Sequence, residues 1–192
     1  MQIITLIALV INFGLMPLTS FQTPYVSDYL QMGPEILSYI KILMIVGMMS
    51  GAAIAPKLII FSRAKLDMYA GIGMGIAIVC MYVTAIVENT VLKIILLTLS
   101  MFSVGVGGGI LNVIGGSCTM KIVPKDMMGR MSGLSGSIME ASMPIGSFLC
   151  SALVLKLSVI RVFLLFGVLT VIFYTIMGLT HKFDSLDEDA KT

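Results

Sequence analysis

The sequence predicts an all-α integral membrane protein: six transmembrane helices arranged as a three-plus-three inverted repeat. Three observations carry that reading. The first is composition. Hydrophobic residues make up 58% of the chain and charged residues 11%, too little charge to cover the surface of a soluble domain of this length. The second is segmentation. About twenty apolar residues cross a ~30 Å hydrocarbon core, and six stretches qualify: Ile3–Tyr29, Pro34–Ala55, Leu66–Val87, Val91–Ile122, Met127–Leu155 and Ser158–Thr180. The third is recurrence of character, since helices one and four, two and five, and three and six match in type, as an inverted repeat requires.

The first stretch opens without the Lys or Arg of a secretory signal and its apolar run is too long for one, so it reads as a membrane helix. Asn12, Met16, Thr19, Thr23 and Ser27 share one of its faces, and Pro17 and Pro24 are expected to bend it. In the second, Lys41, Met44, Met48, Gly51 and Ala55 recur at helical spacing. The third is plainer. In the fourth, Gly105, Gly109, Asn112, Gly116 and Thr119 form a stripe. The fifth carries the strongest: Gly129, Gly133, Gly136, Glu140, Pro144, Ser147 and Ser151. The sixth is nearly all Val, Leu, Ile and Phe after Arg161. Helices one, two, four and five are therefore expected to surround something polar, with three and six facing lipid.

These six helices form one domain, residues 1–180, followed by an acidic tail, 181–192, with Asp184, Asp187, Glu188 and Asp189. Basic residues set the orientation. Lys57, Arg63 and Lys65 lie in the second connector, Lys121, Lys125 and Arg130 around the fourth, and Lys182 and Lys191 in the tail. All fall on one side of a six-helix layout, which places both termini in the cytoplasm of a cell membrane.

Small residues four apart (Gly47 and Gly51, Gly71 and Gly75, Gly105 and Gly109, Gly129 and Gly133) allow close helix approach. Gly105-Val-Gly-Gly-Gly109 is no nucleotide cradle, lacking the Lys-Ser/Thr ending of a phosphate loop. Cys80, Cys118 and Cys150 are scattered without CxxC spacing and read as small buried hydrophobes. With His181 the only histidine, no metal site or cofactor is implied. A net charge of +2 is too small to point to nucleic acid.

Three charged residues fall within apolar helices: Asp28, Lys41 and Glu140. Such a group costs about 2.5–3.5 kcal/mol at a helix centre unless it meets a partner or water. One reading is structural: Lys41 pairs with Asp28 or Glu140, or extends to the outer interface. The other is a substrate or proton site centred on Glu140, because desolvation favours the neutral form of a carboxyl group and so links it to proton movement. Gly133-Leu-Ser-Gly136 has the GxSG form of rhomboid-type serine proteases. That chemistry needs a histidine beside the serine, and His181 lies in the tail, so an enzyme is not expected.

Taken together, several segments resemble the major facilitator superfamily. Val123-Pro-Lys-Asp-Met-Met-Gly-Arg-Met-Ser-Gly133 is similar to the connector before that family's eleventh helix. Asn12-Phe-Gly-Leu-Met-Pro17 with Pro24-Tyr-Val resembles the seventh helix of the macrolide-efflux branch, and the run Ser38 to Gly51 resembles the eighth. The connector after the second helix keeps Lys57, Arg63 and Lys65 but lacks the acidic and Gly-Arg-Arg features often seen there.

The resemblance covers nearly the whole chain, as the C-terminal six-helix half. It implies half of a secondary transporter, proton-coupled and exporting small hydrophobic molecules or drugs by alternating access. Glu140, Lys41, Asp28, Asn12 and Asn112 are the candidate cavity or coupling residues, and Arg130, Gly129 and Lys125 the cytoplasmic gating loop. A lone half leaves polar faces toward lipid, so a second six-helix half or a homo-oligomer is expected as partner, with the lipid bilayer and a small-molecule substrate. The alternative is a truncated, non-transporting membrane protein that acts as an assembly partner or is an inactive remnant.

Overall fold

The computed structural model describes residues 12–58, 63–122 and 127–179. Every element among them is helical. The expected features at Lys125, His181 and the acidic tail lie outside the described residues, as does the start of the first predicted span.

Helix α1 (residues 12–20) breaks at Phe21, which has φ −119° and ψ 17°. A single turn, α2 (Gln22–Pro24), follows, and then a wide π-helical turn over Tyr25–Leu30. Two prolines explain the irregularity. Pro17 and Pro24 have no N–H to offer the carbonyls of Phe13 and Ser20, and each ring crowds the preceding turn. The helix path survives through Phe21 N–H to the Pro17 carbonyl and Tyr25 N–H to the Phe21 carbonyl, both 2.9 Å. It ends where Gln31 turns left-handed, with φ 56°.

Five long helices follow: α3 (Glu35–Leu58), α4 (Arg63–Ile86), α5 (Thr90–Ile122), α6 (Met128–Val154) and α7 (Val159–Leu179). Their limits lie within three residues of those expected from hydropathy. All five are long and apolar enough to cross a membrane, which marks a membrane-embedded protein. Asn89 starts α5 by accepting the N–H groups of Val91 and Leu92 at 3.0 and 3.2 Å, satisfying donors that the first turn leaves unpaired.

The helices pack in a row. Helix α3 lies on α5, α5 on α4, and α4 on α7. Helix α7 meets α1 where Gly14 faces Thr170, and α1 meets α6 where Met16 covers Gly146. The core runs through the middle of this row, with Tyr25, Met74, Ile78, Met81, Leu97, Met101, Phe163 and Tyr174 fully buried. Tyr25 ties it together: its hydroxyl donates to the Met81 carbonyl at 2.8 Å and its ring lies 5.0 Å from that of Phe163.

Glycine sets the helix contacts. A Cβ on Gly47 or Gly51 would strike backbone of α5, and one on Gly105 or Gly109 would strike backbone of α3, so these two helices touch main chain to main chain. Gly71 makes room for the ring of Tyr174. Gly129 and Gly133 differ: among the described residues, nothing lies within 4 Å of the position a Cβ would take on either.

Helices three and six of the sequence, α4 and α7, were expected to face lipid. Each exposes one face only, with Tyr69, Ile76 and Val83 on α4 and Leu165, Leu169 and Ile172 on α7. Their other faces meet at the centre of the bundle. Polarity gave no sign of this contact because it rests on glycine and shape, which leave no polar stripe.

Candidate functional face

Helix α6, like α3, buries little of its described surface within the bundle. Its buried residues, Ser142, Gly146 and Cys150, lie four apart and so on one stripe. That stripe turns toward α1 and α7, where Cys150 joins Met16, Val162 and Phe166 in a small cluster. The Ser20 and Ser147 hydroxyls share a hydrogen bond of 3.1 Å across the α1–α6 contact. Much of the rest of the described surface of α6, including Gly133, Leu134, Glu140, Met143, Pro144, Ile145 and Phe148, is exposed.

The polar stripe foreseen on this helix falls largely on the open side. Gly129, Gly133, Glu140, Pro144 and Ser151 are exposed, while Gly136 and Ser147 are half-buried. Pro144 has no N–H to donate to the carbonyl of Glu140, one turn earlier. Glu140 therefore presents a main-chain acceptor freed of its usual helical donor beside an exposed carboxylate. Arg130 and Gly129 are exposed in the first turn of α6.

The other candidates are dispersed. Lys41 is exposed on α3, at the opposite end of the helix row. Asp28 is exposed in the π-helical turn and accepts a 2.6 Å hydrogen bond from the Ser27 hydroxyl. Asn112 is exposed on α5 and Asn12 half-buried on α1. Lys41 forms no ion pair with Asp28 or Glu140 among the described residues, so the structural pairing weighed for it is not made within this chain. The stripes of α3 and α5 are also split. Gly51, Ala55, Gly105 and Gly109 serve the α3–α5 contact, whereas Lys41, Met48, Asn112 and Gly116 remain exposed.

One residue escaped the sequence reading. Asp67, near the start of α4, is 6% exposed and is the only charged side chain buried among the described residues. One turn further along α4, the ring of Tyr174 of α7 lies over Gly71. The signal was available. Asp67 sits inside an apolar stretch, but two residues after Lys65 it resembles a boundary charge. Its burial depends on helices distant in sequence that pack on α4.

No protein-family model, curated protein or solved structure matches the chain.

Proposed function

We propose that this chain is one half of a secondary active transporter, working by alternating access with a second six-helix half on the same or another polypeptide. The observation that carries the reading is the open face of α6, a membrane-length helix whose Gly129, Gly133, Glu140, Pro144 and Ser151 point away from its own bundle. Small residues on such a face allow a second set of helices to come close. A carboxylate among them is suited to a substrate or proton path, because intramembrane acids persist where they face a cavity or a partner.

The packing supports two related triplets of helices. The α3–α5 contact has a counterpart in α1–α6, and α4–α5 in α1–α7, while α4 and α7 meet each other. Rows of small buried residues four apart recur on α3 (Gly47, Gly51, Ala55) and α6 (Ser142, Gly146, Cys150). A three-plus-three inverted repeat would pair its helices in this way. The substrates fitting the reading are small hydrophobic molecules, macrolide-like drugs among them, exported against proton entry with both termini cytoplasmic.

The test is accumulation of a hydrophobic drug in cells or vesicles containing the assembled protein, with and without a proton gradient. Export that collapses with the gradient, and is lost in Glu140→Gln, is the expected result. Export indifferent to both would remove proton coupling at Glu140. The same open edges also suit a non-transporting assembly partner, for which drug accumulation is unchanged by the chain under every condition.

A further inference from the structure

We propose that the partner of this bundle is a second copy of the same chain, joined by two symmetric seams in which Lys41 of each copy meets Glu140 of the other. The row of helices has two unlike ends. At one, α3 buries Ile40, Gly47, Gly51 and Ala55 and exposes Lys41, Ile42, Ile45 and Met49. At the other, α6 exposes Gly133, Leu134, Glu140, Ile145 and Phe148. One end thus carries a cation within an apolar helix and the other an anion. Neither charge forms an ion pair among the described residues, and α3 and α6 share no extended contact among them.

Two-fold symmetry follows from having two ends. A rotation about an axis normal to the membrane brings each α3 edge onto the α6 edge of the other copy, closing both at once. Head-to-tail contact without closure would instead leave one unpaired cation and one unpaired anion at the ends of every chain of copies. The rotation also leaves every residue at its own depth. Following the crossings from Met44 and Gly105 to Gly107 and Ala70, then to Gly75 and Val171, Thr170 and Gly14, and Met16 and Gly146, Lys41 and Glu140 differ in depth by about 4–5 Å at ~1.5 Å per residue. A lysine stem lying along an apolar surface spans much of such a distance. On the α6 side no described residue lies within 4 Å of the Cβ position of Gly133 or Gly136, so the neighbouring helix can come close.

This identifies the second half required by the transport reading, and depends on that reading only for what the enclosed space does. The experiment uses the full chain in lipid bilayers, with two differently tagged copies and single-molecule counting of the dimer fraction. A self-associating wild type is expected. Lys41→Glu and Glu140→Lys should each lower the dimer fraction at least tenfold, and the double exchange should restore it to within about threefold. In a background without the native cysteines, a copy carrying Lys41→Cys should cross-link to a copy carrying Glu140→Cys, while 41-to-41 pairs should not form. A wild-type monomer, a dimer indifferent to both charge changes, or cross-links only between identical positions would overturn the proposal. A dimer with these seams that moves no drug removes the transport reading alone. Transport by a monomer, or only with a different second half, removes the second copy alone.

Discussion

Gly75 of α4 and Gly167 of α7 face each other reciprocally. A Cβ on Gly75 would lie 3.1 Å from the Gly167 carbonyl oxygen, and one on Gly167 would lie 3.0 Å from that of Gly75. The residues one turn on repeat the symmetry, with Val171 Cγ2 2.7 Å from the first position and Val79 Cγ2 2.7 Å from the second. The two helices thus make the same contact from both sides, as elements related by a local two-fold axis do.

Gly75→Leu and Gly167→Leu should each destabilise the bundle by about 1–3 kcal/mol or more, since the added side chain meets backbone that cannot rotate away. Gly73→Ala, where nothing lies within 4 Å, should change stability by less than about 0.5 kcal/mol. Reversible unfolding in mixed detergent micelles measures both.

Tyr25→Phe retains the ring contact with Phe163 and removes the hydroxyl that donates to Met81. The expected loss is about 1 kcal/mol, typical of one buried hydrogen bond. The same unfolding measurement checks it, and a change below about 0.3 kcal/mol would show the bond to be dispensable.

Asp67→Asn and Asp28→Asn make the same chemical change in opposite surroundings. The buried Asp67 should lose about 1–3 kcal/mol, and the exposed Asp28 no more than about 0.5 kcal/mol. Equal effects would contradict the burial of Asp67.

Asn89→Ala removes the side chain that accepts the Val91 and Leu92 N–H groups. A loss of about 1 kcal/mol is expected, with Asn89→Ser close to wild type. Amide exchange in the first turn of α5 should quicken in the alanine variant only.

Much of the fold was legible because membrane helices obey a local rule. An apolar run of sufficient length can satisfy its backbone in lipid only by forming a helix, so the limits of α3 to α7 follow from where Pro34, Glu88, Asn89 and Ser158 interrupt the apolar runs. The bend in the first helix was equally readable, because Pro17 and Pro24 act on carbonyls of their own turn. The candidate site was legible only in part. Glu140 and its neighbours do share the open face of α6, but Gly51, Ala55, Gly105 and Gly109, with the same spacing, are consumed in packing. Asp67 was missed because its burial depends on helices distant in sequence and is not written near it.

The sequence by itself determined the helical, membrane-embedded class of the protein, the approximate limits of its five described long helices and the places where they bend or are capped. These depend on transfer of apolar residues from water and on hydrogen bonds within a turn or two. Only the tertiary structure decided which glycines are contacts and which are open, and which charge is buried. Gly47 and Gly51 look no different in sequence from Gly129 and Gly133; the first pair has α5 against it, and the second has nothing within 4 Å among the described residues. The partner of a helix face lies tens of residues away, so no local pattern encodes it.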